Sequence, residues 1–139
     1  MFIKLEKASA NTAFPLDDVL NAIKWNQQSL IPVITQQFDT GDVLMMAWMN
    51  REALQESLSS LQACYWSRSR KKLWRKGETS GCTQQIIEMR LDCDGDALLL
   101  LVNQLGAACH TGRSSCFYNA VRGDQVVVLS NPNIIMPNY

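Results

Sequence analysis

The sequence predicts a β-rich α+β domain, because strand-like segments outnumber helical ones and the two do not alternate in βαβ order. The length of 139 residues favours one domain covering residues 1–139, which would bury roughly two thirds of its unfolded surface. A composition with 47% hydrophobic and 19% charged residues is that of an ordinary globular protein.

The first half of the chain predicts two helices around a β-hairpin. A helix is expected over residues 15–25, where apolar residues recur at helical spacing and two aspartates occupy the first turn. The segments VITQQF and VLMMAW predict two strands, and the turn sequence DTGD between them joins them into a hairpin. Asn50 is the predicted N-cap of a helix over residues 51–59.

The second half predicts four more strands, at ACYWSR, QQIIEMRL, ALLLLV and QVVVLS. ALLLLV is long enough for a buried strand and too short for a helix. If this strand begins near Asp92, alternation places Asp92, Asp94 and Asp96 on one face and Cys93 on the other. The tail over residues 131–139 contains two prolines and is predicted to be irregular.

Potential metal ligands are concentrated between Asp92 and Cys116. This stretch contains three of the five cysteines, the only histidine and three alternating aspartates. Carboxylate oxygens suit Mg²⁺ or Ca²⁺, whereas thiolates and imidazole suit Zn²⁺. Two metal preferences in one short stretch indicate an active site.

The cysteines in this stretch differ in how easily they can meet. Cys109 and Cys116 flank a turn containing Gly112, so they can converge. Cys93 lies at the start of the predicted strand, whereas Cys109 and Cys116 follow its other end. At about 3.3 Å per residue, the strand separates Cys93 from the other two cysteines by a long distance. A neighbouring subunit is one possible source of Cys93.

Two features of this stretch and of the other cysteines have purely structural interpretations. An EF-hand loop counted from Asp92 needs Gly at its sixth position and Glu at its twelfth, but this chain has Ala97 and Asn103 there. Cys64 and Cys82 are expected to be buried packing residues.

A basic segment precedes this stretch. Six of the thirteen basic residues fall between Arg68 and Lys76. On a strand, Arg68 and Arg70 would face one side and could grip a phosphate in bidentate fashion. Trp66 and Trp74 bracket the segment and could stack on a base. The alternatives are a solvated basic face or a nucleic-acid patch; the adjacent carboxylates favour a small phosphorylated substrate.

Charge and cysteine usage limit the possible partners. Thirteen basic and thirteen acidic residues give no net field that would attract nucleic acid or a membrane. The first residues have no apolar signal core, and no apolar run approaches the length of a membrane span. An odd number of cysteines with no such signal predicts a reducing, cytoplasmic location.

Two long motifs, SRSR…LW.KGETSG and DCD.D.LL..V.Q.G.ACHTG..SCF, resemble the phosphoribosyl-AMP cyclohydrolase family of histidine biosynthesis. The resemblance runs from about Val43 to Phe117. It implies a homodimer with shared active sites and a strongly bent mixed sheet that forms a pseudo-barrel. It also implies hydrolysis of the N1–C6 bond in the adenine ring of N1-(5-phosphoribosyl)-AMP, with zinc and magnesium as cofactors.

Carried over by motif, the resemblance implies a role for each site residue. The implied zinc ligands are Cys109 and Cys116 of one subunit and Cys93 of the other. The implied magnesium ligands are Asp92, Asp94 and Asp96, and the implied catalytic residue is His110. The implied substrate-binding residues are Trp66, Ser67, Arg68, Ser69, Arg70, Trp74, Lys76, Glu78, Thr79, Ser80 and Gly81.

The residue chemistry agrees with ring hydrolysis. A three-ligand zinc site with an open position supplies hydroxide at neutral pH, and His110 is the only imidazole available as its base. Two other classes remain open at this point. One is a structural zinc module with a closed site of Cys93, Cys109, His110 and Cys116, and the other is a nucleic-acid-binding module that uses the SRSRKK segment.

Overall fold

The computed structural model describes residues 1–132 and confirms a strand-rich α+β chain with short helices. The helices are α1 (Phe2–Lys7), α2 (Leu16–Leu20) and α3 (Arg51–Ser60). The strands are β1 (Ile31–Gln37), β2 (Val43–Met49), β3 (Cys64–Ser67), β4 (Lys72–Arg75), β5 (Gln84–Leu91), β6 (Leu98–Gln104), β7 (Asn119–Arg122) and β8 (Gln125–Val128). No helix in this part of the chain is long and apolar enough to cross a membrane. The predicted irregular tail lies outside the described residues, except for residues 131 and 132, which belong to no helix or strand.

Four strands form one mixed sheet in the order β2-β1-β6-β5. β1 pairs antiparallel with β2, as the predicted hairpin, and parallel with β6. β5 pairs antiparallel with β6, while β3–β4 and β7–β8 form separate two-stranded hairpins. Because β2 and β5 are the edges of an open sheet, residues 1–132 do not close the pseudo-barrel implied by the resemblance.

One face of this sheet is buried because apolar side chains alternate along its strands. Ile31 and Val33 of β1 and Leu98 and Leu100 of β6 are almost fully buried in the main core. Leu54 of α3 packs into the same core, so the helix and the sheet share one interior.

The opposite face of the sheet remains apolar and partly uncovered. Ile34 of β1 pairs with Met46 of β2, and their exposed fractions are 43% and 42%. The half-buried Leu99 of β6 is the partner of Ile34 on its other side, and the half-buried Trp48 lies two residues beyond Met46. Alternation therefore places all four side chains on one surface.

The two helix predictions had different outcomes. Asn50 caps α3 as predicted, since its side-chain oxygen accepts a hydrogen bond from the Ala53 backbone N–H at 2.8 Å. The helix expected over residues 15–25 ends at Leu20 instead. The reason is tertiary: the Lys24 backbone N–H donates to the carbonyl oxygen of Gly95 at 2.9 Å rather than continuing the helix.

A buried polar cluster connects the β3–β4 hairpin to the sheet. The Tyr65 hydroxyl lies 2.7 Å from the Thr35 hydroxyl and donates to Oε1 of Gln84 at 2.6 Å. The Tyr65 ring also contacts the Trp74 ring, with a centroid distance of 5.5 Å. This cluster fixes the position of Trp74, which lines the site described below.

Candidate active site

The three aspartates lie on a tight turn between β5 and β6, so their predicted placement along one strand face is wrong. Oδ1 of Asp92 accepts hydrogen bonds from the backbone N–H groups of Asp96 at 2.9 Å and Ala97 at 3.2 Å. Gly95 adopts a left-handed backbone with φ of +72°, which the turn requires. The alternation that separated Cys93 from the aspartates does not apply to a turn.

The carboxyl groups of Asp92 and Asp96 lie close together and shift each other's pKa in opposite directions. Burial acts to raise the pKa of Asp92, but hydrogen bonds from Asp96, Ala97 and Gly95 outweigh it and lower that pKa. The pKa of Asp96 is raised by its hydrogen bond with Asp92 and by the nearby charges of Asp92 and Asp94. Carboxylate oxygens gathered on one turn are donors of the kind that a hard divalent cation prefers.

Cys93 opens onto a different part of the surface from the other predicted zinc ligands. It is exposed and lines an apolar cleft of about 510 Å³ together with Phe2 of α1 and Phe14. The Phe2 ring also packs directly against Gly95, where a side-chain methyl group would overlap it. The N-terminal segment therefore supports the turn that carries the aspartates.

Cys109 and Cys116 do converge, as their spacing around Gly112 predicts. The Gly112 N–H donates to the Cys109 carbonyl oxygen at 3.0 Å, which closes the turn between them. The Cys116 N–H donates to the carbonyl oxygen of Leu44 at 2.7 Å, so this loop is held against β2. The two thiols lie close enough to shift each other's pKa.

The paired thiols differ in acidity. Burial acts to raise the pKa of Cys109, but hydrogen bonds from Thr111 and Cys116 and the charge of Arg113 bring it below its ordinary value. The Thr111 hydroxyl donates to the Cys109 sulfur at 3.1 Å. Burial of its sulfur and proximity to Cys109 raise the pKa of Cys116 to about 11. Cys109 is therefore the first of the two to ionise.

Lys76 lies beside these thiols and is buried, with 7% of its surface exposed. Its Nζ donates to the Ala108 carbonyl oxygen at 2.7 Å and sits 5.4 Å from the Trp74 ring centroid. Burial lowers the pKa of Lys76, while the neighbouring thiols of Cys116, Cys82 and Cys109 act in the opposite direction. A buried cation next to a thiol pair favours the ionised, metal-binding form of the thiols.

Arg68 and Arg70 occupy the turn between β3 and β4, so the prediction that they extend from a strand toward one side is wrong. Lys71 in this turn has a positive φ of 52°. The turn makes the two arginines diverge. Arg70 lines the cleft that contains His110, whereas Arg68 lines a separate cleft with its guanidinium carbon 4.8 Å from the Trp48 ring centroid.

Two adjacent clefts contain most of the predicted site residues. We call the first, of about 740 Å³, the thiol cleft. It brings together Arg70, Trp74, Lys76, Glu78, Thr79, Ser80, His110 and Cys116. We call the second, of about 530 Å³, the tryptophan cleft; it contains Trp48, Trp66, Ser67, Arg68, Ser69 and one side of Trp74. Gly81 lies in the turn after Ser80, with φ of +80° and open space around it.

The structure does not gather the predicted metal ligands within one chain. Across residues 1–132, no three His, Cys, Asp or Glu side chains lie close enough together to hold a metal ion. One chain presents the Cys109–Cys116 thiol pair in one place and Cys93 in another. Cys64 and Cys82 are buried, as expected, and burial raises the pKa of Cys64 to about 12.

Some cleft residues were missed by the sequence reasoning. Met46 lines both clefts, Trp48 lines the tryptophan cleft, and Lys72 lines the thiol cleft. The alternation of side chains along β2 places Met46 and Trp48 on one face, so the sequence could have predicted that these two residues lie together. Nothing in the sequence pattern indicated that this face would border the β3–β4 turn.

Ionisable thiols, an imidazole and several cations around one concave surface are typical of an enzyme site for a small anionic molecule. Comparison with known proteins agrees with this class. The sequence model of the phosphoribosyl-AMP cyclohydrolase family matches residues 45–118, more than half of the chain.

Individual relatives extend the match along the chain. A phosphoribosyl-AMP cyclohydrolase of Alkalilimnicola ehrlichii is 60% identical over 134 residues, which cover 96% of this chain and 94% of the relative. Phosphoribosyl-AMP cyclohydrolase 2 of Pseudomonas fluorescens is 61% identical over 94% of this chain and 88% of its own length. A phosphoribosyl-AMP cyclohydrolase of Hydrogenovibrio crunogenus is 55% identical over 96% and 90%, respectively. This chain therefore belongs to the phosphoribosyl-AMP cyclohydrolase family, a family of hydrolases.

Proposed function

We propose that this chain hydrolyses the N1–C6 bond in the adenine ring of N1-(5-phosphoribosyl)-AMP, a step of histidine biosynthesis. Family membership supports the substrate. The observation that carries the chemistry is the adjacent pair of thiols at Cys109 and Cys116, because Cys116 and His110 line the same cation-lined cleft. Five free cysteines are consistent with activity in a reducing cytoplasm.

Cys109 and Cys116 are the type of ligand that zinc prefers, but they are only two of the three that a catalytic site needs. Thiolates are preferred zinc ligands, and a catalytic site uses three protein ligands and keeps a fourth position open. Cys109 and Cys116 supply two, and we propose that the partner subunit's Cys93 supplies the third. A zinc ion held in this way supplies a nucleophilic hydroxide at neutral pH. Lys76 stabilises the thiolates, since its buried ammonium group lies beside them.

His110 is the proposed proton carrier. It is exposed at the thiol cleft, next in sequence to Cys109. In the reaction it accepts a proton from the water that attacks C6 and returns that proton to N1 as the N1–C6 bond breaks. The hydrolysis then balances: the oxygen of water stays on C6, one of its hydrogens ends on N1, and the other passes from the C6 hydroxyl to the exocyclic nitrogen as C6 becomes a carboxamide.

We propose that arginines bind the substrate phosphates directly and that aspartates act on them through a magnesium ion. Arg70 at the thiol cleft and Arg68 at the tryptophan cleft form no ion pair with a carboxylate among residues 1–132. Both guanidinium groups can therefore bind an anionic ligand, Arg70 through its N–H groups other than the Nε that donates to Ser67. Asp92, Asp94 and Asp96 are the proposed magnesium ligands, with oxygen donors on one exposed turn. Their three carboxylates do not converge on one point within residues 1–132, so one or two of them would hold the ion, and water and substrate phosphate oxygens would complete its coordination. Magnesium bound there would neutralise phosphate charge.

A homodimer with shared active sites accounts for two features of the single chain. Cys93 and the Cys109–Cys116 pair face different clefts, so we propose that the third thiol comes from another copy. The uncovered apolar sheet face around Ile34 and Met46 is suited to a second protein surface. Zinc binding and dimerisation would then be linked equilibria.

Metal analysis combined with a ring-opening assay tests the proposal. The wild-type protein should turn over N1-(5-phosphoribosyl)-AMP and hold about one zinc per chain, by analogy with other three-ligand sites. Cys109→Ala and Cys116→Ala should lose zinc and activity together. Cys64→Ala and Cys82→Ala are the matched controls and should keep both, because these buried thiols lie outside the proposed ligand set. Full zinc retention by Cys109→Ala would refute the ligand assignment.

A further inference from the structure

The proposed substrate carries two phosphates on two separate arms. N1-(5-phosphoribosyl)-AMP is AMP with a second phosphoribosyl group on N1, so its purine ring bears a ribose phosphate at each of two positions. A site for this molecule needs two anion-binding regions on either side of the position where the ring reacts. The inference below rests on the proposed function.

The two clefts provide such a division. The thiol cleft and the tryptophan cleft share a wall formed by Met46 and Trp74. The Trp74 side of the wall is supported by two contacts, because this ring lies 5.5 Å from the buried Tyr65 ring and 5.4 Å from the Lys76 ammonium group. A ligand in one cleft is therefore separated from the other by an aromatic side chain.

Arg68 is held ready for an anion in the tryptophan cleft. Its guanidinium carbon lies 4.8 Å from the Trp48 ring centroid, within cation–π distance. A cation–π contact uses none of the guanidinium N–H groups as a hydrogen-bond donor to a carboxylate, so they remain available for a phosphate. No carboxylate in the described part of the chain forms an ion pair with Arg68.

Arg70 is held separately, toward the thiol cleft. Its backbone N–H and its Nε both donate to the Ser67 hydroxyl, each at 3.3 Å. Ser67 thus closes the turn and directs the two arginines apart. Arg70 shares its cleft with His110 and Cys116, close to the proposed chemistry.

We propose that the two arms of the substrate bind in different clefts. Arg68 in the tryptophan cleft binds the phosphate of one arm, and Arg70 in the thiol cleft binds the phosphate of the other. Trp48 is a positioning residue, which orients Arg68 through its ring and does not itself contact the phosphate. The reacting ring lies at the thiol cleft beside His110.

Single-arm and double-arm ligands distinguish two separate phosphate sites from one shared site. Arg68→Ala and Arg70→Ala should each raise the KM for N1-(5-phosphoribosyl)-AMP by about 10- to 100-fold, the worth of a hydrogen bond to a charged group, with little change in kcat. AMP has one arm, so its dissociation constant, measured by calorimetry, should rise in only one of the two variants. A rise in both, or in neither, would overturn the two-cleft arrangement.

Trp48 is tested through its dependence on Arg68. Trp48→Leu should raise the KM about as much as Arg68→Ala, whereas Trp48→Phe retains an aromatic face and should stay within about threefold of wild type. In an Arg68→Ala background, Trp48→Leu should add no further loss. An additive loss would mean that Trp48 acts independently of Arg68 and would refute the positioning role.

A control variant and a fixed order of measurement distinguish a failure of the cleft assignment from a failure of the proposed function. Arg90→Ala removes an exposed arginine of β5, at the opposite edge of the sheet from β2, and should leave the KM unchanged. Zinc content and urea unfolding are measured for each variant, so that a folding defect is recognised. Wild-type turnover is measured first: its absence would reject the proposed function, whereas turnover with an unchanged KM in Arg68→Ala would reject only the cleft assignment.

Discussion

Replacing Gly95 with alanine tests how strongly the N-terminal segment supports the aspartate turn. Gly95 has φ of +72°, and a methyl group there would overlap the ring of Phe2, which is only 8% exposed. The left-handed backbone costs about 1–2 kcal/mol for a residue with a Cβ. Displacing Phe2 from its buried position costs up to about 1.5–3 kcal/mol more. We therefore expect Gly95→Ala to lower the free energy of unfolding by about 2.5–5 kcal/mol in total.

Gly123→Ala is the matched control, because Gly123 has φ of +64° and no atom lies within 4 Å of an added Cβ. It should lose only the backbone contribution of about 1–2 kcal/mol. Urea unfolding with an unchanged m-value measures both variants. In a Phe2→Ala background, the cost of Gly95→Ala should fall to that of Gly123→Ala, because the overlapping ring is gone.

Equal losses for Gly95→Ala and Gly123→Ala would refute this reasoning, and so would a Gly95→Ala loss that Phe2→Ala does not reduce. The variant also has a functional readout. The turn that carries Asp92 and Asp96 should shift, so Mn²⁺ binding followed by electron paramagnetic resonance should weaken in Gly95→Ala and remain normal in Gly123→Ala.

Four further predictions address the site and its support. His110→Ala should keep zinc while kcat falls by about 10² to 10⁴; loss of zinc from a folded variant would make His110 a ligand instead. Cys93→Ala and Cys109→Ala chains should each be inactive alone and, after subunit exchange in equal amounts, regain roughly a quarter of wild-type activity; a fully exchanged mixture that stays inactive would contradict shared sites. In zinc-free protein at pH 8, iodoacetamide should label Cys109 well before Cys64, because burial raises the pKa of Cys64 to about 12 while that of Cys109 is lowered; equal labelling rates by mass spectrometry would contradict this order. Tyr65→Phe should lower the free energy of unfolding by about 1–3 kcal/mol, since Oε1 of Gln84 loses its hydroxyl donor in the core; a loss within experimental error in urea unfolding would show that the cluster repacks.

Local patterns predicted the parts of the fold that depend on local interactions. The hairpin of β1 and β2 followed from two apolar runs around a turn sequence, and the cap of α3 followed from Asn50. The convergence of Cys109 and Cys116 followed from the turn at Gly112. In each case the decisive contacts lie within a few residues of one another along the chain.

The predictions that failed did so where side-chain and tertiary contacts outweighed alternation. The Asp92 side chain accepts hydrogen bonds from the backbone N–H groups of Asp96 and Ala97. These bonds form a turn where the sequence pattern had predicted the start of a strand. Lys76 was expected among the substrate-binding residues on the strength of the resemblance, and its burial against the Ala108 carbonyl oxygen was not predicted. The contact between Trp48 and Arg68 joins segments that no periodicity connects.

The parallel pairing of β1 with β6 has a consequence for synthesis. Gln37 at the end of β1 bonds Gln104 at the end of β6, 67 positions later. At about 5–20 residues per second, the ribosome needs roughly 3–13 s to make the intervening chain. During that time the β1–β2 hairpin has an unpaired edge that can pair with another nascent chain. The residues made in this interval include both arginines of the β3–β4 turn and the aspartate turn, so the clefts and the sheet can be completed only after β6 emerges. Co-translational chaperone binding is therefore expected to be strongest while residues 38–104 are being synthesised.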